Sequence, residues 1–185
     1  MAYINLKNEL PGIRGLMAYS PDTAKILNEL AEILLRDDEN TLSRGDRELI
    51  ATYVSYKNDC FFCQNVHGAL AGHYLKLTIP EIDAIKSNAV SAPLTDKMKA
   101  LLEIAGSVQM GGKSVQEQQI TTARSAGATD REIHDTVLIA AAFCMFNRYV
   151  DGLATWAPDD RQLYVDRAPI RANEGYINTP LNITK

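Results

Sequence analysis

The fold of this chain is decided by the stretch from residue 48 to residue 67, which reads ELIATYVSYKNDCFFCQNVH. Cys60 and Cys63 lie three positions apart in this stretch, and His67 follows four positions later. An α-helix turns by about 100° per residue, so Cys63 lies roughly 60° around the helix axis from Cys60, with His67 between them. The spacing therefore predicts that two sulfurs and an imidazole share one narrow helix face.

This face continues into apolar residues, which indicates that it points into the protein. Ala71 and Tyr74 follow His67 along the face, and Leu70 lies beside it. The residues around them are small, so a second helix can approach closely. We expect that second helix to be the preceding one, which carries Glu48.

Apolar residues recur at helical spacing on both sides of the cysteines, and no segment alternates with the period of a strand, so we predict an all-α fold. Five predicted helices have both ends defined: residues 21–36, 43–57, 60–75, 81–87 and 130–151. Two more are predicted between them, one that begins at residue 95 and one that begins at residue 114 and ends before Gly127. Their start signals are Ser20-Pro21, Ser43 with Asp46, Asn58 or Asp59, Thr95, and the capping-box spacing of Ser114 with Glu117 and of Thr129 with Glu132.

The bulk properties are those of one globular domain. The chain has 185 residues and a formal net charge of −4, which argues against a nucleic-acid-binding surface. It lacks an apolar run of about 18 residues and a secretory signal, so we expect a cytoplasmic protein.

We expect a single domain over residues 1–185, with an irregular lead-in over 1–19 and a helical core over 20–156. The apolar tail over 157–185 is expected to dock on this core or on a neighbouring subunit.

A cysteine pair on a helix suits thiol chemistry, because the thiolate is the reactive form and a free cysteine has a pKa of about 8.5. A helix N-terminus, an imidazole and a carboxylate each favour loss of the thiol proton. One cysteine can attack a peroxide and become a sulfenic acid, which its neighbour converts into a disulfide. The residues alone leave open which cysteine attacks. Cys60, nearest the helix N-terminus, should be the more exposed, whereas Cys63 lies one turn from His67.

The same residues also permit a zinc site. Cys60, Cys63, His67 and Glu48 are acceptable ligands, but structural zinc sites usually draw ligands from a second cluster, which the sequence lacks. We therefore expect no metal and no other cofactor. The third cysteine, Cys144, lies among alanine, phenylalanine and methionine and is interpreted as a small buried apolar residue.

The order Glu-x(11)-Cys-x-x-Cys-x-x-x-His, formed by Glu48, Cys60, Cys63 and His67, resembles the AhpD-type alkylhydroperoxidases of the carboxymuconolactone decarboxylase superfamily. Two short motifs near the end of the last predicted helix also resemble the peroxidase-related branch of that superfamily. They are Asn147-Arg148 and Asp151-Gly152-Leu153. The resemblance covers roughly residues 20–156. It implies an all-α, AhpD-like helical bundle that assembles into homo-oligomers, as trimers or hexamers.

The resemblance also implies a role for each site residue. Cys63 would be the peroxidatic cysteine and Cys60 the resolving cysteine. Glu48 and His67 would form the proton relay that deprotonates Cys63. A dithiol reductant, such as a lipoylated or thioredoxin-like protein, would reduce the disulfide again.

One position departs from the resemblance. Phe62 stands where the AhpD pattern has a histidine between the cysteines, so the proton network is simpler or is completed by another group, such as Tyr53 or a water.

The expected function is a peroxidase that reduces hydrogen peroxide or organic hydroperoxides through a Cys60–Cys63 disulfide. Two alternatives stay open: a carboxymuconolactone decarboxylase-like lyase that needs no cysteine pair, and a non-enzymatic redox-responsive or zinc-binding oligomer.

Overall fold

The computed structural model describes residues 2–87, 89 and 92–177 of the chain, and the regular elements among them are all helical. The helices are α1 (Ile13–Tyr19), α2 (Pro21–Arg36), α3 (Arg44–Lys57), α4 (Phe61–Leu75), α5 (Ile79–Ser87), α6 (Asp96–Met110), α7 (Glu117–Ser125), α8 (Asp130–Gly152) and α9 (Gln162–Glu174), with a short 3₁₀ turn at Gly112–Ser114. The predicted all-α fold is confirmed. No helix in these ranges is long and apolar enough to cross a bilayer.

Side-chain caps fix the starts of three central helices where the sequence predicts them. The hydroxyl of Ser43 accepts a hydrogen bond from the backbone N–H of Asp46, and Thr95 caps α6 in the same way. Thr129 and Glu132 form the predicted capping box, in which each side chain bonds the other's backbone N–H. Gly127 has a φ of 88° after the end of α7, as expected of a left-handed helix terminator.

Two predicted caps are wrong. The capping box of α7 joins Gln116 and Gln119, because the helix begins at Glu117 and Ser114 belongs to the preceding 3₁₀ turn. The N-cap of α4 is Cys60 itself rather than Asn58 or Asp59. Asn58 ends α3, and the next residue turns the chain with a φ of 58°.

The two ends of the chain hold helices that the sequence pattern does not reveal. The expected irregular lead-in contains α1. The backbone N–H of Gly12, just before α1, donates a hydrogen bond to the backbone carbonyl of Trp156 and so holds the start of α1 against the segment after α8. The segment after residue 156 contains α9, which packs against α4. The sequence conceals α9 because Pro169 lies inside it, and proline normally argues against a helix interior. Expectations for residues 178–185 lie outside the described part of the chain.

The α3 helix lies at the centre of the bundle and packs against α4, α6 and α8. It is buried on nearly every side, which explains why its sequence shows no clear apolar stripe. The contact between α3 and α4 is close because α4 has little side-chain bulk: a Cβ atom at Gly68 would lie 3.4 Å from the Thr52 methyl group. This close packing brings Glu48 of α3 towards the cysteine face of α4.

Candidate active site

Cys60 and Cys63 lie at the start of α4 with their sulfurs in hydrogen-bond contact. Both are buried and reduced in this structure. The expectation that Cys60 is the more exposed is wrong, because Cys60 has no exposed surface whereas Cys63 is 3% exposed. The hydrogen bond to Cys63, together with burial, raises the pKa of the Cys60 thiol. Deprotonation of the Cys60 thiol is therefore disfavoured.

A chain of hydrogen bonds leads from His67 into the protein. The Nδ1 atom of His67 lies 2.7 Å from Glu48 Oε2, and the hydroxyl of Tyr176 donates to Glu48 Oε1 at 2.7 Å. Burial and the Glu48 carboxylate raise the pKa of Tyr176, so its hydroxyl stays protonated and donates. Because Nδ1 is engaged by the carboxylate, Nε2 is the ring nitrogen left for proton transfer. The ring of Phe143 packs edge-on against His67, with 4.5 Å between the ring centroids.

Tyr176 is the residue of this network that sequence reasoning missed. It follows α9 and reaches Glu48 across 128 positions of the chain, a separation that no local spacing reveals. The only sequence signal was an aromatic residue within an apolar tail. Tyr53, named from the sequence as a candidate to complete the network, instead packs its ring against Gly106 of α6.

Cys63 and His67 line a cavity of about 180 Å³, whereas Cys60 is not among its lining residues. The walls come from α1, α2, α4, α8 and α9 together with the segment that follows α9. Most of the lining is apolar or aromatic, and its aromatic side chains are those of Phe62, Phe143, Phe146, Tyr164 and Tyr176. An oxygen-containing substrate at Cys63 would thus lie in surroundings that exclude much of the solvent.

Phe62, the residue between the two cysteines, belongs to this wall. Its ring lies against Gly12, where an added Cβ atom would come within 2.3 Å of the ring, and it packs edge-on to Tyr164. Phe62 therefore shapes the cavity, and the hydrogen-bonded network at His67 continues through Glu48 to Tyr176.

The far side of the cysteine pair faces a different surface. Asp151, at the end of α8, forms a hydrogen bond with Cys60, and burial raises the pKa of this carboxyl. Asp151 lines a separate shallow depression with Asn58, Asn147, Arg148 and Gly152. Asp151 of the motif at the end of α8 therefore lies beside Cys60, although the two residues are far apart in sequence.

The third cysteine lies at the edge of the core, near this depression. Cys144 is half-buried and packs against the core, and its sulfur accepts a hydrogen bond of 3.7 Å from the side-chain amide of Asn58. The expectation of a small buried apolar residue is therefore met only in part. In the described ranges, no group of three or more histidine, cysteine, aspartate or glutamate side chains is arranged to hold a metal ion.

The chain is similar to known proteins over most of its length. The model of the carboxymuconolactone decarboxylase family matches residues 21–85 and 81–157. One similar crystal structure is the alkylhydroperoxidase AhpD core of an uncharacterized peroxidase-related protein from Ralstonia eutropha JMP134. It has a TM-score of 0.75 and 27% identity, over 83% of this chain and 80% of that chain.

Another similar crystal structure is an uncharacterized peroxidase-related protein from Silicibacter sp. TM1040. It has a TM-score of 0.73 and 25% identity, over 82% of this chain and 78% of that chain. No curated protein shows significant similarity to the chain. The family match over most of the sequence, together with the shared helical fold, shows that this chain belongs to the AhpD-like carboxymuconolactone decarboxylase family.

Proposed function

We propose that this protein is a thiol-dependent peroxidase that reduces hydrogen peroxide or organic hydroperoxides through a Cys60–Cys63 disulfide cycle. The observation that carries the proposal is that Cys63 opens into an apolar cavity beside His67, whose other ring nitrogen is held by Glu48. The two solved relatives are described as peroxidase-related proteins, which supports the same class of reaction.

In the first step, the Cys63 thiolate attacks one oxygen of the hydroperoxide. An S–O bond forms, the O–O bond breaks, and Cys63 becomes a sulfenic acid. The leaving alkoxide, or hydroxide from hydrogen peroxide, takes up a proton and departs as alcohol or water. His67 lies one helical turn from Cys63 in the same cavity and is the group proposed to accept the thiol proton and to donate it to the leaving oxygen.

In the second step, Cys60 attacks the sulfenic acid of Cys63. A disulfide forms and one water molecule leaves, carrying the hydroxyl of the sulfenic acid and the thiol proton of Cys60. The hydrogen-bond contact between Cys60 and Cys63 supports this step. A dithiol reductant then supplies two electrons and two protons and is itself oxidised to a disulfide. We propose a lipoylated or thioredoxin-like protein as this partner.

Three serine variants test the cycle. Cys63→Ser is expected to abolish peroxide consumption in the presence of dihydrolipoamide, because the attacking sulfur is lost. Cys60→Ser, treated with one equivalent of peroxide in the absence of any dithiol, is expected to consume it once and leave a sulfenic acid on Cys63, which dimedone labelling and mass spectrometry detect. The matched control Cys144→Ser removes the third cysteine and is expected to retain the wild-type rate. Wild-type turnover by Cys63→Ser would contradict the mechanism.

A second candidate is a lyase of the carboxymuconolactone decarboxylase type, which the matched family model favours by its name. That reaction does not need a cysteine pair. It would be recognised by decarboxylation of a lactone acid that survives when Cys60→Ser and Cys63→Ser are combined. Stoichiometric zinc in the purified protein, without turnover of either substrate, would support a binding role instead.

A further inference from the structure

Three arginine side chains converge on the cavity that contains the Cys63 sulfur. Arg14 reaches it from α1, and Arg167 and Arg171 reach it from α9. The two arginines of α9 are four positions apart, so they lie on the same face of that helix. The mechanism proposed above uses none of these three guanidinium groups.

Within the described ranges, none of these three arginines forms an ion pair. The residues that line the cavity include no aspartate or glutamate. Buried nitrogens of two of the three, Arg14 Nη2 and Arg171 Nη1, have no hydrogen-bond partner within residues 2–87, 89 and 92–177. Burial and the neighbouring guanidinium groups lower the pKa of Arg14 to about 10, so it still carries its charge at neutral pH.

Arg171 has other neighbours, but they leave its Nη1 donor unused. Burial and the charge of Arg167 lower the pKa of Arg171, whereas the carboxylates of Glu48 and Glu174 raise it. Its guanidinium lies over the ring of Tyr176, with 4.5 Å to the ring centroid. Within the described ranges, it forms no ion pair with either carboxylate.

An anion would relieve this arrangement. A buried donor without a partner costs roughly 1–3 kcal/mol, and neighbouring like charges add to that cost. Guanidinium groups bind carboxylates through paired hydrogen bonds that match the planar geometry of both groups. A carboxylate in the cavity would pair with the guanidinium groups of Arg14 and Arg171, which line it, and would offset the repulsion among the three cations.

The remainder of the cavity limits what such a ligand can be. The other walls are mainly apolar and aromatic, and they include Phe62, Phe143 and Phe146. The cavity of about 180 Å³ is a little larger than a cavity of about 150 Å³, which is known to hold benzene. A ligand that fits both features has a compact apolar body and one carboxylate.

We propose that the preferred substrates are hydroperoxides of compact apolar carboxylic acids, with the carboxylate bound by Arg14 and Arg171 and the hydroperoxide at Cys63. This inference specifies the substrate class of the proposed peroxidase and rests on that function. It makes Arg14, Arg167 and Arg171 determinants of specificity rather than of the thiol chemistry.

The test compares two probes that differ in charge and by one methyl group: 4-(2-hydroperoxypropan-2-yl)benzoate and its methyl ester. We expect kcat/KM of the wild-type protein for the acid to exceed that for the ester by about tenfold or more, equivalent to roughly 1.4 kcal/mol. Arg14→Gln and Arg171→Gln are each expected to reduce this ratio severalfold. Because the ratio is internal to each variant, it is insensitive to the fraction of protein that is folded. The control Arg124→Gln removes an exposed arginine of α7, outside the cavity, and is expected to keep the wild-type ratio.

A binding measurement separates this inference from the proposed reaction. Calorimetry with 4-isopropylbenzoate, which has no peroxide group, is expected to show binding that either arginine variant weakens by about tenfold. Binding of the acid without turnover of any hydroperoxide would overturn the peroxidase function and support the carboxylate site. Turnover with an acid-to-ester ratio near one, or a ratio that neither arginine variant changes, would overturn the carboxylate site and leave the peroxidase function standing.

Discussion

Cys60 lies at the N-terminal boundary of α4 with no exposed surface, whereas Cys63 lies at the wall of the cavity. Proximity to the helix N-terminus, taken alone, favours Cys60 as the thiolate. Burial and the hydrogen bond to Cys63 act in the opposite direction and raise the pKa of Cys60. The local environment therefore outweighs the helix dipole, and it favours Cys63 as the attacking residue.

This difference predicts the order in which the two cysteines react with an alkylating agent. In the reduced protein at pH 7, we expect iodoacetamide to modify Cys63 before Cys60. A raised pKa leaves a smaller thiolate fraction at any given pH, so modification of Cys60 should increase only as the pH becomes more alkaline. Peptide mapping by mass spectrometry at a series of pH values measures both rates, with the half-buried Cys144 as an internal reference. Modification of Cys60 first at neutral pH would contradict this assignment.

Residue spacing alone could place Cys63 and His67 one turn apart on α4, because that geometry is local, whereas Cys60 lies just outside the helix as its N-cap. The position of Glu48 opposite His67 followed from the small residues of α4, which allow α3 to approach. The position of Tyr176 could not be predicted, because its contact depends on how the chain after α8 returns to the bundle. Arg14, Arg167 and Arg171 were missed for the same reason, since nothing in the sequence indicates that α1 and α9 meet at one cavity.

At the scale of the elements, α1 and α9 close the cavity on either side of Phe62. The ring of Phe62 lies against Gly12, the residue before α1, and packs edge-on to Tyr164 of α9. Gly12 has a φ of 55°, a conformation that residues with a side chain rarely adopt. Both the backbone angle and the position of the ring therefore require glycine here.

Gly12→Ala is accordingly expected to destabilise the protein. The strained backbone angle alone should cost on the order of 1–3 kcal/mol of the free energy of unfolding, and displacement of the Phe62 ring should add to this cost. Denaturation by urea, followed by circular dichroism, measures the change. The matched control is Gly112→Ala, because an added Cβ atom there meets no other atom within 4 Å. Equal stability of the two variants would show that α1 does not dock as described.

The limits of sequence prediction at this scale have a physical cause. The helices α2, α3, α6 and α8 were predicted closely because capping side chains or a proline mark their first residues and act locally. The helix α9 contains Pro169 and exposes Leu163 and Ile170, so neither its composition nor its periodicity marks it as a helix. Its stability in the fold comes from packing against α4, which the sequence does not display.

At the scale of the whole molecule, α2 has apolar residues on its outer face as well as its inner one. Its inner face lines the cavity through Leu27 and Ala31. On its outer face, Ile26 and Ile33 are 66% and 61% exposed, and their spacing of seven positions places them on one side of the helix with Leu30 between them. An exposed apolar stripe of this kind is typical of a subunit interface. We therefore propose that α2 contributes to the homo-oligomer that the family resemblance implies.

Sedimentation equilibrium tests this assembly. The wild-type protein is expected to have three or six times the chain mass of 20.4 kDa. Combining Ile26→Glu with Ile33→Glu should lower the measured mass, because charged side chains would have to be buried in the interface. The control Met110→Glu changes an exposed apolar residue at the end of α6, away from this stripe, and is expected to leave the mass unchanged. A monomeric wild-type protein would contradict the proposal.

The two cysteines of the pair have different neighbours. Cys63 lines the cavity, whereas the fully buried Cys60 contacts Asp151, which lines the separate depression. Under the proposed cycle, an electron donor that acts from the side of the depression would not need to enter the narrow chamber that receives the oxidant. The size of the donor and the selectivity for the peroxide could then change independently during evolution.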